Sequence, residues 1–176
     1  MNALYKYADL DSSKKILDLG CGSCCLSKKL KSQNVISLDV IDASSKYCSK
    51  PIIFDGKKIP YDNNSFDIGL CSFVLHHTPN QENLLRELKR TCKTIMILEN
   101  TPEKESDWKY IKKHAQSDWG KCEECFKTRE DWKKYFKKLG FHIIAIERVS
   151  GWYCPFSTKP FFYPVPQTTF FLKSHV

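Results

Sequence analysis

Short apolar runs separated by polar stretches mark the first hundred residues of the chain. Such runs are typical of buried strands. They predict five strands, at Ile16–Leu19, Val35–Asp39, Pro51–Phe54, Phe66–Cys71 and Thr94–Leu98. Apolar residues at helical spacing predict helices at Cys24–Ser32 and, behind an N-cap at Asn80, at Glu82–Thr91. This alternation favours an α/β sheet joined by crossover connections.

The rest of the chain continues the alternation with longer polar intervals. Helices are predicted at Glu103–Gln116 and Arg129–Leu139, the second ended by Gly140. Two further strands, Phe141–Val149 and Thr168–Lys173, bring the total to seven. Residues 151–166, between these strands, are rich in proline and aromatic side chains, which indicates a turn or an extended excursion.

Length and composition narrow the class of protein. A chain of 176 residues is long enough to bury a core, and we expect one domain spanning 1–176. It has no run of about 18 apolar residues that would span a membrane, and its polar start, Met1–Lys15, lacks the apolar core of a signal peptide. Nine cysteines, an odd number lying on predicted strands and helices, favour reduced thiols over a disulfide scaffold. We therefore expect a cytoplasmic protein.

The net charge of +8 comes almost entirely from lysine, with 24 lysines against 4 arginines. This charge is compatible with an anionic partner such as RNA. Arginine is the better bidentate reader of phosphate, and its scarcity weakens that interpretation. On the helix Arg129–Leu139, lysines alternate with an apolar face, a pattern typical of a solvated surface.

The segment Ile16–Ser23 has the pattern of a strand followed by a tight turn. Asp18 is followed by Gly20 and Gly22, which lack side chains and allow a nucleoside cofactor to approach the backbone closely. The helix start behind the turn offers N–H groups to an anion. Both dinucleotides and S-adenosylmethionine bind at such turns. The third glycine of the dinucleotide fingerprint would fall at Cys25, which disfavours an NAD-linked oxidoreductase.

Acidic residues also follow the second and third predicted strands. Asp39 can accept hydrogen bonds from the two ribose hydroxyls, although an ordinary turn aspartate is the alternative. Asp55 and Gly56 can meet the adenine amine and a ring nitrogen, although Asp-Gly is also a common turn pair. Because ligands bind beyond the carboxyl ends of parallel strands, the series favours a nucleoside site.

The segment after the third strand adds a recognisable pair of motifs. Asn64-Ser65-Phe66-Asp67 leads into the fourth strand, and Val74-Leu75-His76-His77 follows it. With the glycine turn and the acid at Asp39, these motifs resemble class I S-adenosylmethionine-dependent methyltransferases of the ubiquinone/menaquinone-type group. The resemblance is strong over roughly residues 14–100. It implies a Rossmann-like seven-stranded sheet that is mostly parallel, with an antiparallel last strand.

The resemblance also implies roles for individual residues toward S-adenosylmethionine, which leaves as S-adenosylhomocysteine. The glycine turn would meet the methionine part through Asp18, Gly20, Cys21 and Gly22. The next two loops would hold the nucleoside, with Asp39 at the ribose and Asp55 and Gly56 at adenine, and Val40 is a further predicted cofactor-binding residue. The exit of the fourth strand would contribute Cys71 near the methionine amino group and Phe73 and His76 on the methyl side.

The methyl acceptor stays open between a small molecule and an RNA or protein group. His76 or His77 is a candidate general base, needed only for an acceptor that must lose a proton, and local packing is the alternative. Family members commonly carry N-terminal lid helices. Here 15 residues precede the first strand, so we expect a minimal lid, with residues 151–166 helping to wall the acceptor pocket. A non-catalytic, methyltransferase-like subunit is the alternative function.

One further motif has metal-ligand spacing. Cys122 and Cys125 form a Cys-x-x-Cys pair with His114 nearby, but no second pair completes four ligands. We expect thiols and no metal at this position.

Overall fold

The computed structural model describes residues 6–7, 13–30, 34–44, 50–117, 122–149 and 165–174, with the backbone alone at 25, 29 and 114–117. The residues outside these ranges include most of the aromatic segment 151–166, so the predicted wall of the acceptor pocket lies outside the described residues. Among the described helices, none is long and apolar enough to cross a membrane.

Seven strands within the described ranges form one sheet. They are β1 (Ile16–Leu19), β2 (Val35–Asp39), β3 (Ile52–Ile53), β4 (Phe66–Ser72), β5 (Cys92–Asn100), β6 (His142–Val149) and β7 (Gln167–Lys173). Their order across the sheet is β3-β2-β1-β4-β5-β7-β6. Strands β1 to β5 pair in parallel, whereas β7 is antiparallel to both β5 and β6. The predicted fold, including its antiparallel last strand, is confirmed.

Four helices within the described ranges connect these strands, and two 3-10 turns lie in the described loops. The helices are α1 (Cys25–Lys29), α2 (Gln81–Thr91), α3 (Glu105–Ser117) and α4 (Arg129–Lys138). The 3-10 turns are Leu75–His77 and Glu123–Cys125. Helix α4 begins as predicted, because the Thr128 side chain accepts the Asp131 N–H. The apolar face of α4 is buried through Trp132 and Phe136, while most of its lysines face solvent.

Three predicted elements differ in length from the structure by two residues or more. Helix α1 has five residues and starts behind Cys24, whose left-handed φ of 57° stops the helix from extending backward. Strand β3 is only two residues long, because it lies at the sheet edge and pairs with β2 alone. Strand β5 runs from Cys92 to Asn100, longer than predicted, because it pairs with β4 on one side and β7 on the other.

The main core lies between the sheet and helices α2 and α4. Strand residues such as Leu17, Ile95 and Phe170 pack there with Leu85 and Trp132. A smaller cluster covers the opposite face, where the ring of Tyr7 lies 4.8 Å from that of Phe171. The described part of the N-terminal segment therefore packs on a sheet face.

The tight contact between β4 and α2 gives a direct test of this packing. A Cβ added at Gly69 would lie 2.7 Å from Cys92 Sγ and 3.3 Å from Leu88 Cδ2. Gly69→Ala should therefore destabilise the fold by about 1–3 kcal/mol through overpacking. We expect the double variant Gly69→Ala/Cys92→Ala to lose less than the sum of the single variants, because removing Sγ makes room. Urea unfolding measures the free energy of unfolding of all three variants. If the losses of the two single variants add up to that of the double variant, the contact between Gly69 and Cys92 is contradicted.

Candidate cofactor-binding and catalytic site

The loops that follow β1, β2, β3 and β4 meet at one edge of the sheet. These four strands are parallel, so their carboxyl ends point the same way. The residues predicted to bind the cofactor lie in these loops or at the strand ends. The structure therefore brings the sequence-predicted residues together at the position where α/β sheets bind ligands.

The two glycines of the β1 turn serve different purposes. Gly20 has a φ of +67°, and a Cβ there would lie 2.3 Å from Val74 Cγ2, so this glycine allows the β4 exit loop to pack closely. Gly22 has a φ of +50°, and a Cβ there would meet nothing within 4 Å. Open space beside a side-chain-free backbone fits a cofactor lying against Gly22.

The carboxylate of Asp39 ties the β1 turn to the end of β2. It accepts the Gly22 N–H at 2.8 Å through one oxygen and the Val40 N–H at 2.7 Å through the other. The side chain is nearly buried. Each carboxylate oxygen has more than one acceptor site, so Asp39 retains acceptor capacity for ribose hydroxyls. The Gly22 N–H is thus donated within the protein, to Asp39.

Asp18, at the middle of β1, is buried beneath this turn. Its carboxylate accepts the Ser27 hydroxyl, and Ser27 Oγ lies 2.9 Å from Ser37 Oγ. Burial raises the pKa of Asp18 from 3.8 to about 6; the Ser27 hydrogen bond opposes this shift and the nearby Asp39 charge adds to it. A hydrogen-bonded, buried carboxyl group at this position holds the turn against α1 and β2.

The loop after β3 has the polar groups predicted for the adenine side. Asp55 accepts the Lys57 and Lys58 N–H groups at 2.8 Å and 3.0 Å, and these bonds lower its pKa. Gly56 has a φ of +72°, and a Cβ there would lie 3.1 Å from Val40 Cγ1. Val40 is itself 53% exposed, so an apolar side chain lies in solvent next to the Gly56 backbone. A flat base can cover such a surface.

The exit of β4 supplies the other side of the site. Cys71 is completely buried, so only its main chain can face a ligand. Phe73 has a φ of +58° and donates its N–H to the Leu98 carbonyl at 2.8 Å. His76 is only 2% exposed, and its ring lies between those of His77 and Phe126, at 4.0 Å and 4.6 Å. His77 is partly exposed.

Glu99, near the end of β5, belongs to the candidate site and was missed by the sequence analysis. Its side chain is fully buried. One oxygen lies 2.6 Å from His76 Nδ1, and the other accepts the Leu75 N–H at 2.7 Å. When this carboxylate is ionised it can only accept, which places the imidazole proton on Nδ1. An acidic residue directly after an apolar predicted strand was the signal that could have identified it.

A loop from the second half of the chain closes against the β4 exit. The Gln81 side-chain amide donates to the Leu75 carbonyl at 2.8 Å and to the Cys125 carbonyl at 2.7 Å. Lys127 Nζ donates to Gln81 Oε1 at 2.7 Å, and burial lowers its pKa. With the ring of Phe126 stacked on His76, these contacts fix the loop beside the two histidines.

The expectation of two thiols at Cys122 and Cys125 is wrong. These residues form a disulfide in the 3-10 turn, whose tight backbone brings their Cα atoms to 5.2 Å. Among the described residues, no group of three or more possible ligands could hold a metal ion. The described cysteines that form no disulfide are Cys21, Cys24, Cys71 and Cys92.

Comparison with known proteins agrees with this geometry. Residues 17–95 match a family model described as a methyltransferase domain. A search of curated proteins found no match to the sequence. The fold is similar to that of an S-adenosylmethionine-dependent methyltransferase from Methanosarcina mazei, at 14% identity and a TM-score of 0.72 over 100% of this chain and 98% of that one.

Two further solved structures share the fold. An S-adenosylmethionine-dependent methyltransferase from Aquifex aeolicus is 17% identical, with a TM-score of 0.66 over 97% of this chain and 87% of that one. The [4+2]-cyclase SpnF is 14% identical, with a TM-score of 0.73 over 99% of this chain and 79% of that one. At these identities the likenesses establish the fold.

The site, the matched domain and the fold define a class. Residues 17–95 match a methyltransferase domain, which covers most of the β1–β5 half, and the chain shares the fold of S-adenosylmethionine-dependent methyltransferases. S-adenosylmethionine is accordingly its cofactor, and the dinucleotide alternative is set aside. The open space beside Gly22 and the carboxylate of Asp39 fit this cofactor.

The raised pKa of Asp18 predicts a characteristic pH dependence of stability. Between pH 4 and 6 the folded state holds this proton more tightly than the unfolded state, so stability falls as the pH rises through this range. A shift from 3.8 to about 6 corresponds to about 3 kcal/mol lost at pH 7. Asp18→Asn should recover about 1–2 kcal/mol at pH 7 and almost nothing at pH 4, as measured by urea unfolding.

Asp67→Asn is the matched control with the opposite sign. The Lys93 ammonium and the Lys15 N–H lower the pKa of Asp67, so its stabilisation is present at pH 7 and is lost as the pH falls. This variant should be slightly destabilised at pH 7 and unaffected at low pH. An Asp18→Asn effect that does not change with pH would contradict the buried-charge explanation.

Proposed function

We propose that the loops after β1, β2 and β3 hold S-adenosylmethionine, while the β4 exit and the 122–127 loop receive the methyl acceptor. The observation that carries this proposal is the Gly22–Asp39 contact, which leaves open space beside a backbone flanked by a carboxylate. When bound, the cofactor supplies a methyl group on a sulfonium, which an acceptor nucleophile takes as the sulfide leaves.

The cofactor roles are distributed along the sheet edge. Gly22, with Gly20 and Cys21 in the same turn, would lie against the methionine part, and Asp18 supports that turn from below. Asp39 would accept the ribose hydroxyls. Val40 and Gly56 would form the apolar surface under adenine, with Asp55 at its rim.

The methionine end would lie toward the β4 exit. The main chain of Cys71 and the ring of Phe73 are placed there by the strand end and by the Phe73–Leu98 hydrogen bond. Methyl transfer depends mostly on positioning the nucleophile in line with the methyl group. The residues that shape this part of the site therefore control both rate and specificity.

For an acceptor that must lose a proton, His77 is the outer candidate for the base. It is partly exposed, whereas His76 is buried against Glu99. A base must reach the proton that it removes. We therefore assign proton removal to His77 and a positioning role to His76 and Glu99, which hold the turn beneath it.

The proposed function has two alternatives, one concerning the class of acceptor and one concerning catalysis itself. The closed loop beside the histidines favours a small-molecule acceptor, and the net charge of +8 supports an RNA or protein acceptor. A cofactor-binding subunit without catalysis is the second alternative. We propose a cytoplasmic location, supported by four described cysteines that form no disulfide, with the Cys122–Cys125 disulfide weighing against it.

A methyl-transfer screen tests the function directly. The full chain is incubated with S-adenosylmethionine labelled at the methyl group and with cell extract separated into metabolite, RNA and protein fractions. Label in the metabolite fraction supports the small-molecule acceptor. Label in RNA or protein identifies a macromolecular acceptor instead. Binding of cofactor without label in any fraction would favour the non-catalytic subunit.

The cofactor site is tested by removing the Asp39 carboxylate. Asp39→Ala should weaken S-adenosylhomocysteine binding about 10- to 100-fold in a calorimetric titration, because charge-assisted hydrogen bonds are lost. Asp42→Ala is the control, since Asp42 is an exposed acid nearby that accepts hydrogen bonds from Ser44. If the unmodified chain and both variants bind S-adenosylhomocysteine with equal affinity, Asp39 does not contact the cofactor.

The assigned base is tested once an acceptor is known. His77→Gln should lower kcat by about 100-fold for an O–H acceptor and abolish the acidic limb of the kcat/KM pH profile. Glu99→Gln should lower kcat less, because its amide donates to His76 Nδ1 and moves the imidazole proton to Nε2. NMR of the His76 ring reads out this tautomer.

Glu82→Gln is the control for both variants. Glu82 forms an exposed ion pair with Arg86, one turn further along helix α2. It should leave both kcat and the pH profile unchanged. An unchanged pH profile in His77→Gln would show that positioning alone drives transfer.

A further inference from the structure

The Cys-x-x-Cys pair of the second half of the chain has no role in the proposed function. Cys122 and Cys125 are joined by a disulfide across a 3-10 turn. A second pair with the same spacing, Cys21 and Cys24, has its sulfur atoms 3.4 Å apart and forms no disulfide. The same chain therefore holds one oxidised pair and one reduced pair. In a reducing compartment such as the one proposed above, a disulfide is usually transient and serves catalysis or sensing.

The two bonded cysteines differ in their surroundings. Cys122 is partly exposed, whereas Cys125 is only 4% exposed. A thiolate that arrives from solvent therefore reaches Cys122 Sγ first and displaces Cys125 Sγ. Cys125 Sγ lies 3.2 Å from the carbonyl oxygen of Thr78, directly after His77. Once reduced, the Cys125 thiol can donate to that oxygen, so the displaced sulfur has a hydrogen-bond acceptor already in place.

The disulfide is the strongest restraint on the turn that it closes. The Cys125 N–H bonds to the Cys122 carbonyl at 3.1 Å, and the Phe126 N–H bonds to the Glu123 carbonyl at 3.2 Å. No described side chain caps the turn, and the exposed ion pair of Glu123 with Lys112, at 3.5 Å, contributes little. A single 3-10 turn has poor hydrogen-bond geometry. Breaking the S–S bond therefore frees the Cys122 end of the turn.

The other end of the turn is fixed to the candidate acceptor site. The Cys125 carbonyl accepts from the Gln81 side-chain amide at 2.7 Å, and the same amide donates to the Leu75 carbonyl. The ring of Phe126 is stacked on that of His76, with the ring centres 4.6 Å apart. A loosening of the turn therefore acts directly on the residues that pack against His76.

We propose that Cys122 and Cys125 form a thiol–disulfide exchange site that controls the order of the 122–127 loop. The co-reactant is a dithiol. Its thiolate attacks Cys122 Sγ, the S–S bond breaks, and Cys125 Sγ leaves with the electron pair and takes up a proton. The second thiol of the reductant then attacks the mixed disulfide and releases Cys122. The protein gains two electrons and two protons, and the dithiol becomes a cyclic disulfide.

The two redox forms differ in how well the loop is held beside the histidines. The oxidised chain keeps the turn closed, whereas the reduced chain holds it only at the Cys125 end. A surface that is ordered in advance loses less conformational freedom on binding, so the oxidised form is the one prepared for an acceptor. This consequence for the acceptor rests on the proposed function. The exchange site itself is defined by the disulfide and its contacts alone.

The experiment compares the full chain before and after treatment with dithiothreitol, a small dithiol. Alkylation followed by mass spectrometry should show two additional modified cysteines, at positions 122 and 125. Hydrogen exchange of the amides at positions 125 and 126 should become about tenfold faster, because their acceptors are carbonyls at the freed end of the turn. The Asp131 amide, which bonds to the Thr128 hydroxyl at the start of α4, should exchange at an unchanged rate.

One variant and one matched control separate the thiol chemistry from the rest of the turn. Cys122→Ser removes the bond and leaves the buried Cys125 in place. Its amides at positions 125 and 126 should exchange as fast as those of the reduced chain, with no response to dithiothreitol. Glu124→Gln changes an exposed residue of the same turn and should keep the full response. The His76 ring protons should shift in the NMR spectrum on reduction, because they report on the stacked Phe126 ring.

Three results would overturn the proposal. A disulfide that resists dithiothreitol in the folded chain would be a structural bond. Unchanged exchange at positions 125 and 126 after reduction would show that the bond does not order the loop. Equal acceleration at position 131 would show a general loosening of the chain. Titration with S-adenosylhomocysteine tests the proposed function separately, since a failure of both redox forms to bind it would leave the exchange results standing.

Discussion

The carboxylate of Asp39 is the contact on which the geometry of the candidate site depends. By accepting one N–H from the β1 turn and one from the loop after β2, it fixes the separation of the two loops. The turn itself could not hold this arrangement, since Gly22 has no side chain to pack and its neighbourhood is open. One buried acid thus fixes the two loops beside the open space at Gly22. A binding site that is already in place lets a flexible cofactor bind with little reorganisation of the protein.

Glu99 plays the corresponding part on the other side of the site. It joins β5 to the β4 exit through a main-chain N–H and an imidazole, as Asp39 joins β2 to the β1 turn. Both acids lie at strand ends, and both satisfy donors that would otherwise be buried without partners. The β1–β3 half is therefore held by carboxylate contacts to backbone, whereas the β4–β5 half adds stacked rings around His76.

The local parts of this arrangement were predictable from sequence, and the non-local parts were not. The glycine turn, the acids after β2 and β3 and the histidines after β4 follow from apolar runs ending in polar residues. Glu99 was missed because its role depends on β5 lying beside β4, a neighbour relation set by a crossover and invisible to local pattern. The disulfide was missed for a related reason: the Cys-x-x-Cys spacing is shared by thiols, metal ligands and disulfides, and only the 3-10 backbone distinguishes them.

The buried Asp18 lowers the stability of the fold in order to support the candidate site. Its carboxyl group is desolvated and lies close enough to Asp39 for the two charges to oppose each other. An apolar residue would pack at this position of β1 without that penalty. The sequence keeps an acid there, hydrogen-bonded to Ser27 beneath the glycine turn, and the turn must be held although α1 has only five residues and cannot brace it alone. Sacrificing stability for a fixed loop is expected where binding geometry, rather than packing, is under selection.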